Sequence, residues 1–147
     1  MNKQDQYAIM KVQLKKAMRS KFYFEAIFIE YAIIEDRAES VLNHAGGIKL
    51  TDCRGNPLKL QNKLNKIRDN SHFQDSFIRK RITPELVERI REWKDKRNNL
   101  VHNLMNGSSD FIELEKIAVE GSDLVRIFDN KVKSVNNYFS RICIDGE

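Results

Sequence analysis

The chain has 147 residues, of which 41% are hydrophobic and 32% are charged, and its formal net charge is +5. This length favours one domain, so we expect residues 1–147 to form a single domain with an apolar core. Only 6 Gly and 2 Pro are spread over the chain, which argues against a strand-rich fold and favours long helices. The positive charge is compatible with an anionic partner, such as RNA or a nucleotide.

The cysteines and the apolar segments indicate a cytoplasmic protein. Cys53 and Cys143 match no close metal-ligand spacing, and the N-terminus has no apolar stretch of the signal-peptide type. Isolated thiols without a secretory signal are typical of a reducing compartment. The most apolar stretch, residues 22–34, contains Glu25 and Glu30 and is too short to span a bilayer. We therefore expect no membrane partner.

Apolar residues recur at helical spacing in the first part of the chain and predict helices over 5–19 and 21–45. The second pattern covers more than half of a helix surface, through Phe22, Phe24, Ile27, Phe28, Tyr31, Ile34, Ala38, Val41 and Leu42. Such a helix lies at the centre of a bundle or in an oligomer interface. Glu35 and Glu39, one turn apart on it, are expected to be exposed. The alternative is that one of them faces inward and holds a cation.

A turn and two short helices are predicted next. The turn signal is Gly55-Asn56-Pro57. Helical spacing then indicates the two helices, through Leu60, Leu64 and Ile67 for the first and Phe73, Phe77, Ile78 and Ile82 for the second. The second helix contains the densest basic stretch of the chain, Arg79-Lys80-Arg81. These three residues are candidate RNA contacts, although adjacent residues point around a helix rather than to one face.

A long helix is predicted from Thr83 to about Asn106. Threonine can cap a helix, and the proline and glutamate that follow suit its first turn. The apolar stripe of this helix is formed by Leu86, Ile90, Trp93, Leu100 and Leu104. Arg97 occupies the position that continues this stripe. Because an isolated buried charge is too costly, Arg97 must be paired, exposed in a cleft or bound to an anion.

The last helix is predicted to begin near Asp110, because Asp110 and Glu113 approximate a capping pattern. Its apolar stripe runs almost to the end of the chain, through Leu114, Ile117, Leu124, Ile127 or Phe128, Val132, Val135, Phe139 and Ile142. The expected fold is therefore all-α. We predict an up-and-down helical bundle with three or four long helices and one or two short ones.

Arg97, Asn98 and His102 form the candidate catalytic site. Arginine is a permanent cation whose forked donors suit phosphate oxygens, and histidine exchanges protons near neutral pH. Asn98 adds a neutral donor and acceptor. Arg97 and His102 are separated by about 140° around a regular helix, whereas Asn98 and His102, four residues apart, are neighbours. The spacing allows a shared groove, which a second subunit could complete.

A series of carboxylates gives an alternative site. Along one face of the same helix lie Glu85, Glu88, Glu92 and Asp95. Glu-x-x-Glu and Glu-x-x-Asp arrangements hold Mg²⁺ in all-helical nucleotide pyrophosphohydrolases. Here Arg89, Arg91 and Lys96 alternate with the acids, so ion pairs within the helix are the favoured explanation. We expect no metal and no other cofactor, since motifs for phosphate loops and zinc helices are absent.

The Arg97-Asn98-x-x-x-His102 pattern resembles the motif of the HEPN superfamily, the higher eukaryotes and prokaryotes nucleotide-binding domain. That motif is an arginine, four to six residues and a histidine, often with asparagine after the arginine. It lies on a late helix of a small all-α bundle. The position of residues 83–106 and the length of the chain agree with this placement.

The resemblance implies a metal-independent endoribonuclease that acts as a homodimer, with both motifs lining one cleft. His102 would be the general acid or base, and Arg97 would hold the phosphate. Asn98 would orient either the histidine or the phosphate. Lys94 and Lys96 would contact RNA beside the motif. Such proteins often serve as toxins or in phage defence, so a protein antitoxin is also an expected partner. One antitoxin-paired subgroup has a tyrosine where this chain has Leu104.

Two alternatives stay open beside this interpretation. In the first, the chain is a non-catalytic helical module that binds a nucleotide or a protein, or that dimerises. Arg97 would then pair with an acid of the second helix, and His102 would cap or pack near a helix end. In the second, the chain is the Mg²⁺-dependent nucleotide hydrolase described above.

Overall fold

Six α-helices make up the regular structure of the residues that the computed structural model describes, which are 1–46, 49–69, 76–107 and 110–145. They are α1 (Lys3–Arg19), α2 (Tyr23–Gly46), α3 (Leu60–Asp69), α4 (Ser76–Arg81), α5 (Pro84–Met105) and α6 (Phe111–Asp145). Within those ranges there is no β-strand, only an isolated antiparallel bridge between Thr51 and Pro57. The predicted all-α fold is confirmed. None of the described helices is both long and apolar enough to cross a membrane.

The predicted helix starts agree with the capping contacts. The Thr83 hydroxyl accepts a hydrogen bond from the Leu86 N–H at 3.2 Å, and Pro84 is the first residue of α5. The Asp110 carboxylate accepts from the Glu113 N–H at 3.0 Å at the start of α6. Each cap gives a partner to a backbone N–H that has none inside its helix.

Two sequence features fall partly outside the described residues. Phe73, which belongs to the pattern that predicts α4, lies outside them, and so does the side chain of Cys143. Cys53 is exposed and free. The predicted turn nearby is confirmed, because Gly55 has a φ of +80°, which favours glycine.

The chain forms two compact units, each built from two separated stretches of sequence. Unit 1 consists of residues 1–33 and 92–125, and unit 2 consists of residues 34–91 and 126–147. α2, α5 and α6 each contribute to both units. The core of unit 1 includes Leu14, Ala26, Ile33, Trp93, Leu100, Ile117 and Leu124. The single domain and the up-and-down arrangement stay predictions.

Unit 2 has an apolar core and a buried cation. Its core includes Ile34, Val41, Leu42, Leu60, Leu64, Ile78, Ile90, Phe128 and Val132. Lys63 of α3 is also buried, and its Nζ lies 3.2 Å from a carboxylate oxygen of Glu35 and 3.2 Å from one of Glu39. The expectation that these glutamates are simply exposed is corrected, since together they neutralise a cation that could not otherwise be buried.

Candidate functional site

α5 positions the candidate catalytic residues. Its predicted stripe faces inward, because Leu86, Ile90, Trp93 and Leu100 are buried and Leu104 is half-buried. Arg97 lies in the same stripe and is also half-buried. The helix therefore places a permanent cation along an apolar seam, as the spacing predicts.

Arg97 has aromatic and amide partners. Its guanidinium carbon lies 4.4 Å from the centre of the Tyr31 ring of α2, and one terminal nitrogen donates to the Asn98 side-chain oxygen at 2.9 Å. Its Nε is buried, and no described residue forms a hydrogen bond with it. Within the described part of the chain no carboxylate forms an ion pair with Arg97. The partner that α2 supplies is thus a ring rather than the acid considered above.

His102 has the exposure that a proton carrier needs. Its side chain is exposed and has no hydrogen bond or ion pair with any residue that the structure describes. Asn98, one turn earlier on the same helix, is half-buried and holds Arg97 through its oxygen. Asn98 is therefore the residue of the motif that neighbours both of the others.

Exposed apolar side chains lie in the same helical rows as Arg97 and Tyr31. One row lies on a face of α2 and consists of Phe24, Phe28 and Tyr31, at spacings of four and three residues. The other row lies on a face of α5 and consists of Arg97, Val101 and Met105, at spacings of four residues. The Arg97–Tyr31 contact joins these two rows. Phe24, Phe28, Val101 and Met105 are 55%, 69%, 44% and 86% exposed. We call these six residues the Arg97 surface.

The core of unit 1 contains a buried carboxyl group whose burial the sequence analysis did not predict. Glu30 of α2 is fully buried, and neither of its carboxylate oxygens has a hydrogen-bond partner among the residues that the structure describes. Burial raises the pKa of Glu30 to about 9, so the group is protonated at neutral pH. The sequence did carry a signal, because the residues three and four positions away on either side are Ala26, Ile27, Ile33 and Ile34.

Glu30 fits against α6 because residue 121 is glycine. A Cβ atom added at Gly121 would overlap the Glu30 carboxyl group and would lie 2.8 Å from the Trp93 ring. The Trp93 indole N–H donates to the Ile117 carbonyl at 2.9 Å, which fixes the ring over this part of α6. The glycine thus allows a close approach of three helices in unit 1.

The predicted RNA contacts have different environments. Lys94 is buried and pairs with Asp95 at 2.9 Å, whereas Lys96 is exposed and pairs with Glu120 at 3.3 Å. These two residues belong to unit 1. In unit 2, Arg79 and Lys80 are exposed and Arg81 is half-buried. Unit 1 therefore holds Arg97, Asn98, His102, Lys94 and Lys96, and unit 2 holds Arg79, Lys80 and Arg81. RNA contact by any of them stays a prediction.

The acidic series of α5 includes ion pairs within the helix. Glu88 pairs with Arg91, three residues later, and this hydrogen bond lowers the pKa of Glu88. Asp95 accepts from Lys94 as described above. Among the described residues, no group of three or more His, Cys, Asp or Glu side chains is arranged to hold a metal ion.

Searches of protein-family models, curated proteins and solved structures returned no significant match to this chain. Functional assignment therefore rests on the residues and geometry described above.

Proposed function

We propose that this chain is a metal-independent endoribonuclease of the HEPN type, with Arg97, Asn98 and His102 as its catalytic residues. The observation that supports the proposal is the environment of Arg97. Its guanidinium is half-buried against Tyr31, and in the described structure no carboxylate neutralises it. A partly desolvated arginine without an acidic partner favours an anionic ligand, and its planar fork suits a phosphate.

The proposed reaction cleaves RNA by transesterification. The ribose 2′-oxygen attacks the adjacent phosphorus, and the bond from phosphorus to the 5′-oxygen breaks. A base takes the proton of the 2′-hydroxyl, and an acid gives a proton to the leaving 5′-oxygen. Arg97 stabilises the negative charge that increases on the nonbridging phosphate oxygens. The products are a 2′,3′-cyclic phosphate and a 5′-hydroxyl.

This chemistry has one role for a base and one for an acid, and each chain supplies one His102. A homodimer supplies the second histidine, so His102 of the partner subunit takes the other role. The Arg97 surface favours such a dimer, because its exposed phenylalanine, valine and methionine side chains would be covered by a second copy. A two-fold axis that passes through this surface beside the contact of Arg97 with Tyr31 would bring both Arg97 side chains close to the axis.

The test is cleavage of a labelled single-stranded RNA in EDTA, with the new ends identified by mass spectrometry. We expect cleavage with 2′,3′-cyclic phosphate ends, and we expect His102→Ala to lower the rate by roughly 10²–10⁴-fold. Arg97→Gln should lower it as well, since the phosphate loses its cation. The matched control is His44→Ala, which replaces another exposed histidine whose Nδ1 lies 2.8 Å from the Ser40 carbonyl oxygen.

Other outcomes favour other functions. Equal cleavage by the His102→Ala variant and the unmodified protein would refute the proposal. Activity that EDTA abolishes would favour the Mg²⁺-dependent hydrolase. The second candidate is a non-catalytic dimerisation module, which the exposed apolar residues of the Arg97 surface also support. A protein that dimerises through that surface and cuts no RNA would be this module.

A further inference from the structure

Unit 2 contains a basic groove on a different set of residues from the proposed catalytic site. Two open cavities, of about 360 and 240 Å³, share Arg81, Ile127 and Lys131 as lining residues. Further basic residues line them from three helices, so the set of basic residues is Lys80, Arg81, Arg89, Arg126 and Lys131. We call these five residues and the two cavities the basic groove.

The charge of the basic groove is strongly unbalanced. Five cations line the two cavities, and Glu85 is the one carboxylate among the lining residues. Within the part of the chain that the structure describes, Lys80, Arg89 and Lys131 take part in no ion pair. These three cations lie on the same two cavities as Arg81 and Arg126, so they repel their basic neighbours and attract an anionic ligand.

Arg81 is held in place for binding. Its guanidinium carbon lies 3.4 Å from the centre of the Phe77 ring, and that ring stacks on Tyr138 at a centroid distance of 4.0 Å. The Arg81 Nε donates to the Ser134 hydroxyl at 2.8 Å, and Nη1 donates to the Phe77 carbonyl at 3.4 Å. No hydrogen bond from Nη2 to another described residue is present. This nitrogen belongs to a side chain whose rotamer is already fixed, which reduces the entropy lost on binding.

We propose that the basic groove binds the phosphodiester backbone of an RNA strand. The cations are distributed over two adjoining cavities, an arrangement that suits successive phosphates of a chain better than one isolated phosphate. Three of the five residues lie on different helices, Arg81 on α4, Arg89 on α5 and Lys131 on α6, so the site depends on the fold of unit 2. The inference does not rest on the proposed function, because Arg97 and His102 belong to unit 1.

The test measures binding of a fluorescently labelled 12-nucleotide RNA with 2′-O-methyl riboses, which cannot be cut by transesterification. The variant is Arg89→Gln/Lys131→Gln, because neither side chain has an ion pair that the fold would lose. The matched control is Lys15→Gln/Lys16→Gln, which removes two charges from exposed positions of α1. Circular dichroism confirms that each variant keeps its helices.

We expect the groove variant to bind at least tenfold more weakly and the control to bind within about twofold of the unmodified protein. Each single-strand phosphate contact changes the slope of log K against log[salt] by about 0.7, so at 0.1 M salt two contacts are worth roughly 25-fold. The slope itself should decrease by about 1.4. Arg81→Lys should weaken binding as well, since it keeps the charge and removes the fixed fork.

Three results would overturn the proposal. The first is an equal loss of affinity in the groove variant and the α1 control, because binding would then follow net charge alone. The second is no binding of the oligonucleotide by the unmodified protein. The third is displacement of the RNA by polyglutamate as effectively as by unlabelled RNA of equal charge, because the groove would then recognise acidic peptides. Loss of cleavage in the assay of the proposed function leaves this result unaffected, since the probe is not a substrate.

Discussion

Replacing Glu30 with glutamine tests how unit 1 accommodates a carboxyl group in its core. Glutamine has nearly the same shape as a protonated glutamate and cannot ionise. The variant therefore keeps the packing against Gly121 and Trp93 and removes only the titration. We expect the difference in stability between the two proteins to depend strongly on pH.

The sign of this effect follows from proton binding. The pKa of Glu30 is about 9 in the folded chain and near its ordinary value of 4.5 in the unfolded chain. Between these values the folded state binds one proton more than the unfolded state, so the free energy of unfolding falls as pH rises. The stabilisation is fully present below pH 4.5 and is lost as pH rises through 9. Each pH unit corresponds to about 1.4 kcal/mol, so the change from pH 6 to pH 8 is about 2.7 kcal/mol.

The assay is urea unfolding at pH 6, 7 and 8, followed by the fluorescence of Trp93, the one tryptophan of the chain. The free energy of unfolding of the unmodified protein should decrease relative to that of Glu30→Gln over this range. Contributions from all other groups are common to both proteins and cancel in the difference. Glu25→Gln, an exposed position on the same helix, is the control and should give a constant difference. A constant difference for Glu30→Gln too would refute the reasoning.

Three further predictions follow from the packing and from the surface. Gly121→Ala should destabilise the chain by about 1–2 kcal/mol in urea unfolding, because overlap with Glu30 outweighs the gain in helix propensity; Ser122→Ala, the neighbouring control, should not. Lys63→Met should lower the free energy of unfolding by about 1–2 kcal/mol, because the half-exposed Glu35 and Glu39 lose their shared cation. This loss of stability should be smaller in 1 M NaCl, because salt screens the repulsion between the two glutamates. Phe28→Ser should weaken the proposed dimer by about 2–4 kcal/mol over two symmetric copies, measured by sedimentation. An unchanged dissociation constant would exclude the Arg97 surface from the interface.

The helices could be predicted because their signals are local. Thr83 and Asp110 cap the helices that follow them, and the stripe of α5 depends on spacing within one segment. Local signals do not predict which side chains on two different helices contact each other. Tyr31 is such a case, since nothing in the spacing of α2 shows which side chain of α5 meets its ring.

The apolar pattern of α2 does not show which of its apolar residues are buried in the core and which are exposed. Ile27 is buried whereas Phe24 and Phe28 are exposed, and all three fit the same helical pattern. Apolar residues are needed both in a core and in a contact between copies, so composition alone leaves both open. The sequence predicted these two alternatives for α2, and the exposure of the phenylalanines agrees with the proposed contact between copies.

The contacts of the buried polar side chains could not be predicted from the sequence, because their partners lie on other helices. The sequence showed that Glu35 or Glu39 could hold a cation, but not that the cation is Lys63 of a different helix. Glu30 lies among apolar neighbours in the sequence, yet the space for its carboxyl group depends on Gly121 of α6, which the spacing of α2 does not show. For Arg97, Asn98 and His102, helical spacing predicted only that Asn98 and His102 are neighbours, while the hydrogen bond from Arg97 to Asn98, the exposure of His102 and the half-burial of Arg97 came from the structure.

The division of the chain into two interleaved units has a consequence for its synthesis. Unit 1 ends at Val125 and unit 2 resumes at Arg126, both inside α6. A contact such as that between Asn136 and Ser40, at 3.0 Å, joins residues that are 96 positions apart. Neither unit can therefore complete its contacts until its part of α6 has left the ribosome, and the five helices before α6 stay partly folded until then. For the same reason no single cut of the chain separates the two units from each other.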